Sequence, residues 1–244
     1  MTIPISSSSC YVCGGTLRPL EEAYRCVSCG VVRTSHSYNL KMYAEGYAKN
    51  YVRYSATDVN TPLNLFRLGL VSRWLKQRDR ILDVGCCVGE FLRFAEHWYE
   101  TVGFEPNKVA ATMARKRCDS KILTELNGSI GQVHCVTLFD VLEHMEDPRG
   151  FLAYLCKEHL LSGGVIVITT PNVEVIPPWN EEALRAWKHW KPTEHLFLFT
   201  EEGLSKIAAS LNLEILHVGH EESDIRPGNP NGDILTFVVR KSKI

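Results

Sequence analysis

The chain begins with two Cys-x-x-Cys pairs. Cys10 and Cys13 form the first and Cys26 and Cys29 the second, with twelve residues between the pairs and a glycine, Gly14 or Gly30, directly after each. Four thiolates at this spacing suit a tetrahedral Zn²⁺ with arms of about 2.3 Å, and the glycines let the backbone turn beneath it. A Cys₄ set leaves no open coordination position, so the expected metal is structural rather than catalytic. It would hold together two short turns with almost no apolar core of their own. The other five cysteines, Cys86, Cys87, Cys118, Cys135 and Cys156, fall in apolar or helical stretches and read as small, reduced core residues.

A second group of residues could hold a nucleotide-like ligand. In ILDVGCCVGEFL, Asp83 sits at the end of a short apolar strand and Gly85 and Gly89 lie in the turn that follows. Twenty residues after Gly85, Glu105 ends the next strand, in VGFEPN. A carboxylate there can accept hydrogen bonds from both hydroxyls of a ribose, and the glycines let a ligand lie against bare backbone.

A third group could act on an acceptor. His144 follows a strand, in DVLEHMEDP, and reads either as a loop histidine shaping the ligand site or as a base or metal ligand. His195, in EHLFLFT, reads as a base or substrate contact, or as loop packing. His189 lies between Trp187 and Trp190, and with Trp179 these belong to a segment, Pro171 to His195, that could be a lid over a planar or sugar acceptor or simply a packed insert.

The elements that must carry these residues alternate. From Pro62, with Thr61 as its cap, a helix is expected to about Gln77. The strand RILDV, a helix from Glu90 to Trp98, a strand from Thr101 to Phe104 and a helix from Asn107 to Arg117 follow. Further strands are expected near Lys121–Leu123 and Val133–Leu138, then a helix at about Pro148–His159 and the strand VIVITT. Strands alternating with helices imply a parallel doubly wound sheet, whose ligand crevice lies at the C-terminal strand ends. After a helix at about Thr200–Leu211, LEILHVGH and DILTFVVR are separated by a loop rich in glycine, proline and asparagine, so they should pair antiparallel as a hairpin with no helix between them. Residues 1–35 form the cysteine module, residues 36–61, with Tyr38, Tyr43, Tyr47, Tyr51 and Tyr54, a connecting helix or linker, and residues 62–244 the α/β domain.

NAD and S-adenosylmethionine (SAM) both use such a crevice. The dinucleotide pattern G-x-G-x-x-G is broken by Cys87, and a dinucleotide needs close phosphate approach at the helix N-terminus. SAM carries no phosphate; its amino-acid end needs loop backbone and a carboxylate for the ammonium, a role open to Asp83. The terminal antiparallel pair also points away from a dehydrogenase.

ILDVGCCVGEFL, VGFEP, FDVLEHMEDP, LLSGGVIVITTPN and HLFLFTEEGL occur here in the order found in class I SAM-dependent methyltransferases. Over about residues 62–240 the chain resembles the group that includes ubiquinone-biosynthesis O-methyltransferases and many sugar and natural-product methyltransferases, although that group usually has glycine where this chain has Cys87. The resemblance implies a Rossmann-like seven-stranded sheet of order 3-2-1-4-5-7-6 with strand 7 antiparallel. It implies that Asp83, Gly85 and Gly89 meet the methionine end, Glu105 the ribose, and Leu138 the region beside the sulfonium. Asp140, Glu143 and His144 also resemble an E-x-x-E-H cluster that holds a divalent metal in ubiquinone-pathway relatives, with aspartate at the first position. Similar zinc ribbons precede methyltransferase domains in surface-polysaccharide and natural-product gene clusters, and a related one occurs in a ribosomal-RNA guanine methyltransferase.

The net charge of −1 over 244 residues gives no global field for nucleic acid or anionic membrane. The ribbon sets Arg18, Arg25 and Arg33 against Glu21 and Glu22, without the basic stripe expected of an RNA binder. No apolar run approaches the roughly 18 residues of a membrane span, and the start lacks the layout of a secretory signal, so a cytoplasmic location is expected. The expected function is transfer of a methyl group from SAM to a hydroxyl or amine of a small molecule, a sugar or a glycan or natural-product intermediate. The alternatives are an RNA methyltransferase that grips RNA with its ribbon, and a non-catalytic scaffold on a degenerate SAM fold.

Overall fold

The computed structural model describes residues 9–37, 60–177, 180–226 and 232–242. The tyrosines at 38, 43, 47, 51 and 54, the serine-rich start and Trp179 lie outside the described residues.

The α/β part begins with helix α1 (Asn60–Ser72) and strand β4 (Arg80–Val84), preceded in the chain by three short strands, β1 (Leu17–Pro19), β2 (Ala23–Cys26) and β3 (Val32–Thr34). Then come α2 (Glu90–Ala95), β5 (Glu100–Phe104), α3 (Lys108–Arg117), β6 (Lys121–Leu123), β7 (Val133–Phe139), α4 (Pro148–Glu158) and β8 (Leu160–Pro171). The chain continues through α5 (Glu181–Ala186), β9 (Phe197–Leu198), α6 (Glu201–Ser210), β10 (Leu213–Gly219), α7 (Glu221–Ile225) and β11 (Ile234–Lys241). Helix starts carry their own caps. Asn107 accepts from the amides of Val109 and Ala110, Asp147 from Gly150 just beyond Pro148, and Thr200 from Gly203.

Seven strands form one sheet in the order β10-β11-β8-β7-β4-β5-β6. Counted from β4, this is the expected 3-2-1-4-5-7-6 order, and β11 runs antiparallel to both neighbours. β4 is flanked by parallel partners on both sides, which is why RILDV reads as a continuous apolar run. Its Ile81 and Leu82 are fully buried on opposite faces, in two separate apolar clusters.

Three local expectations are corrected. The first helix starts at Asn60, so Thr61 lies inside it rather than capping it, and it stops at Ser72, where the amides of Arg73 and Trp74 fall back on Leu70 and Val71 in three-residue turns. The helix opening at Glu90 ends at Ala95, where the amide of Trp98 closes a similar turn on the Ala95 carbonyl. The last two strands do pair antiparallel, but a helix, α7, stands between them. It forms because Glu222 is drawn inward by arginines, and Ser223 Oγ accepts from the Ile234 amide at 2.9 Å.

The cysteine-rich segment makes a second sheet of order β1-β2-β3-β9, whose last strand comes from far along the chain. Val32 pairs with Leu198 and Arg33 with Phe197, both antiparallel.

Candidate functional site

The loop after β4 holds the first half of the site. Gly85 and Gly89 have φ of +72° and +79°, in the left-handed region that favours glycine. A side chain at Gly85 would come 2.7 Å from Val141, and one at Gly89 about 3.1 Å from Cys118, so both glycines also permit close packing. Cys87 has φ +50°, which accounts physically for glycine being usual there.

Asp83 is buried, and its Oδ1 accepts from Thr137 Oγ1 at 2.7 Å. Burial pushes its carboxyl up to about 7, against the opposing pull of the Thr137 hydroxyl and the charge of Arg67. Glu105, also buried, accepts from the Cys87 amide at 2.9 Å and the Asn107 amide at 2.8 Å, one on each oxygen. Burial raises it as well, opposed by those two amides. Each oxygen keeps a lone pair for a further donor. Thr137 and Asn107, which orient the two acids, were not singled out from the sequence; only their positions at strand and helix ends could have marked them. Leu138 is fully buried in the core between sheet and helices, and the strand runs on to Phe139.

At the end of β7, Asp140 takes φ +58° and binds two arginines. Arg67 reaches its Oδ2 at 3.1 Å, and Arg226 reaches its Oδ1 at 3.0 Å and its Oδ2 at 2.7 Å. Both arginines also bind Glu222, which is fully buried. Burial alone would raise Asp140, but Arg226 and then Arg67 hold its carboxyl below the usual range. Both carboxylate oxygens of Asp140 are thus occupied by arginines, and Asp140 is not among the described residues whose ligand atoms converge on Glu143 and His144.

Glu143, His144 and His195 come together instead: one ligand atom of each lies within 4.8 Å of the others, an arrangement that could hold a metal ion. The two imidazoles meet edge to face, 5.0 Å between ring centres. His144 Nδ1 lies 2.8 Å from the Glu194 carbonyl and His195 Nδ1 2.8 Å from the His189 carbonyl. A carbonyl only accepts, so each ring carries its proton on Nδ1, and in the neutral ring Nε2 bears the lone pair. Burial lowers both histidines, His195 to about 3 with His144 adding to the effect. Glu143 is pushed up to about 8, first by burial and then by the charge of Asp140. Glu143 Oε1, His189 Nε2 and Trp187 Nε1 are buried polar atoms with no hydrogen-bond partner among the described residues. Of the tryptophans in the 171–195 segment, Trp187 packs edge to face on His189 at 5.0 Å, and Trp190 borders the apolar cluster of Leu184 and Leu198.

The four ribbon thiols lie within 4.8 Å of one another. Cys10 and Cys29 sulfurs are 3.8 Å apart and those of Cys13 and Cys26 3.5 Å. A tetrahedron with arms of about 2.3 Å has edges of about 3.8 Å, so the spacing fits Zn²⁺. Amides of Gly15, Ser28 and Cys29 point at Cys13 and Cys26 sulfurs, at 3.4 Å each, as donors to thiolate would.

The sequence model of a family described as a methyltransferase domain matches residues 60–218. No curated protein matches the chain. Among solved structures, a SAM-dependent methyltransferase from Thermotoga maritima, described as a possible histamine N-methyltransferase, is 19% identical with a TM-score of 0.60 over 83% of this chain and all of its own. The plantazolicin methyltransferase BamL, solved with S-adenosylhomocysteine (SAH) and a triazolic analogue, is 12% identical, with a TM-score of 0.62 over 83% of this chain and 94% of its own. A methyltransferase in complex with the Haloferax volcanii activator Trm112 is 13% identical, with a TM-score of 0.60 over 85% of this chain and all of its own. At these identities the likeness is one of fold.

Proposed function

Since the chain belongs to the methyltransferase-domain family, in which the donor is SAM, we propose that it methylates a hydroxyl or amine of a small, polar acceptor, a sugar or a glycan or natural-product intermediate. SAM supplies a methyl group already activated by its sulfonium. In this reading Asp83 receives the ammonium of the methionine end, with Gly85 and Gly89 giving backbone access, and Glu105 accepts from the ribose hydroxyls. Leu138 contributes from behind, as packing under the strand end. His144 and His195 face the acceptor; burial makes both rings weak bases that stay neutral, so Nε2 can accept a hydrogen bond from an attacking hydroxyl and take its proton as methyl transfer makes that proton acidic, while Nδ1 stays on its carbonyl.

The observation that carries the acceptor class is the set of unpartnered buried polar atoms beside these histidines, Glu143 Oε1, His189 Nε2 and Trp187 Nε1. Buried polar atoms are rarely left unpaired, and these would be satisfied by a hydroxylated or aminated ligand. The ribbon supports the small-molecule reading over RNA. Arg25 is buried, and Arg33 donates to the carbonyls of Thr34 and His36 and stacks on Phe197. Only Arg18 of the three is exposed, which leaves no basic stripe for phosphates. The Cys10, Cys13, Cys26 and Cys29 cluster is read as a structural zinc site.

The test is a panel of nucleotide sugars, aminated and hydroxylated small molecules, and transfer and ribosomal RNA, offered with methyl-labelled SAM. His195→Ala and His144→Ala should each lower turnover of the accepted compound by about 10²–10⁴ while leaving SAH affinity nearly unchanged. A loss below about threefold in both would remove the histidine base and leave orientation alone, as for an amine acceptor. Methylation of RNA alone would overturn the substrate class.

A further inference from the structure

We propose that the cysteine ribbon is a working part of the acceptor half of the site, and that Thr34 on β3 is a positioning residue for His144 and His195. The proposal rests on the reading of these histidines as acceptor-side groups.

Thr34 is fully buried, although β3 is a three-residue strand. Its bonds run outward from the ribbon. The Thr34 amide donates to the Leu196 carbonyl at 3.0 Å, and Thr34 Oγ1 donates to the Pro192 carbonyl at 3.1 Å. One side chain and its own amide therefore clamp both ends of the segment from Pro192 to Leu196. Between the two anchors lie Glu194, whose carbonyl receives His144 Nδ1, and His195 itself. Leu196 also bridges the two halves: its carbonyl accepts from the ribbon while its amide donates to the Glu143 carbonyl at 2.8 Å.

The rest of the junction holds this clamp in register. The β3–β9 pairing continues past Leu196 to Leu198. Thr200 Oγ1 donates to the Cys29 carbonyl at 2.5 Å, tying a metal-binding turn to the cap of α6. Gly203, in the first turn of α6, has no room for a side chain because Val31 fills the space. Cys10, Cys26, Cys29 and Val31 share one apolar cluster with Leu196, Phe197 and Phe199. Among the described residues, Asp83 and Glu105 make no hydrogen bond to the ribbon; their partners there are Thr137, Cys87 and Asn107. A weakened clamp should thus loosen the imidazoles and spare the SAM crevice.

The discriminating experiment uses the full chain with Thr34→Val, which keeps the branched shape and loses the hydroxyl, and Thr34→Ser, which keeps it. Nitrogen-15 histidine spectra read the Nδ1 protons of His144 and His195, and calorimetry with SAH reads the crevice. In Thr34→Val, solvent exchange of those two protons should accelerate at least about tenfold, SAH affinity should stay within about twofold, and Thr34→Ser should restore slow exchange. Unchanged exchange in Thr34→Val would overturn the proposal. So would a parallel fall in SAH affinity, or failure of Thr34→Ser to rescue, since either marks a general loss of structure. The spectra do not depend on whether the histidines act as bases, so failure of that reading, seen in His195→Ala turnover, is separable from failure of the clamp.

Discussion

Binding of the donor should release a proton at Asp83. In the ligand-free protein this carboxyl is held up to about 7 by burial, with only the Thr137 hydroxyl and the more distant Arg67 opposing. An ammonium of the methionine end needs the ionised form. At pH 8 little proton is bound and the penalty is negligible. At pH 7 about half the sites must ionise, which costs less than about 1 kcal/mol; at pH 6 most sites carry a proton, and ionising them costs on the order of 1 kcal/mol. SAH affinity should therefore fall about tenfold from pH 8 to pH 6. Calorimetry at pH 6.5 in buffers of different ionisation enthalpy should report release of about 0.8 proton per SAH bound. Asp83→Asn keeps an oxygen for Thr137, and should bind more weakly at pH 8 with no dependence on buffer. Identical observed enthalpies across buffers for the wild type would refute the placement of the ammonium on Asp83.

Other expectations concern the metal and the buried charges. Metal analysis should find about one zinc per chain, lost in Cys26→Ser, while SAH binding survives; a metal-free wild type with four freely titrating thiols would refute the ribbon. Arg67→Ala should cost about 3–5 kcal/mol in denaturant unfolding, because fully buried Glu222 and partly buried Asp140 lose a shared partner; a loss under about 1 kcal/mol would mean that Arg226 alone neutralises both.

Much of the crevice at the ends of β4 and β5 was legible in the sequence because its signals are local. Asp83 and Glu105 stand at the ends of adjacent apolar strands, and the glycine spacing marks the turn between strand and helix, so position along the chain implies position at the crevice. The two cysteine pairs were legible for the same reason. The acceptor half depends on partners that are distant in sequence. Asp140 resembled a metal ligand beside Glu143 and His144, yet arginines 73 and 86 residues away donate to both its oxygens. β9 has only two residues, inside a motif that reads as one apolar run, and nothing local announces that it completes a sheet begun at Leu17. Helix α7 was hidden for a similar reason: its short polar sequence has no helical stripe, and it is held by ion pairs rather than by apolar packing. The downward pKa shifts of His144 and His195 also follow from burial, which spacing alone does not reveal.

Calorimetric titration of SAH into wild type and Glu105→Gln tests whether this chain uses SAM in the crevice between β4 and β5. Glutamine keeps the shape but has one acceptor oxygen, where glutamate accepts two amides on separate oxygens and is proposed to accept a ribose as well. One SAH per wild-type chain, with affinity lowered by about 1–3 kcal/mol in Glu105→Gln and the fold retained by circular dichroism, is the predicted result. Absence of binding to the wild type, or equal affinity in the two proteins, would contradict the account.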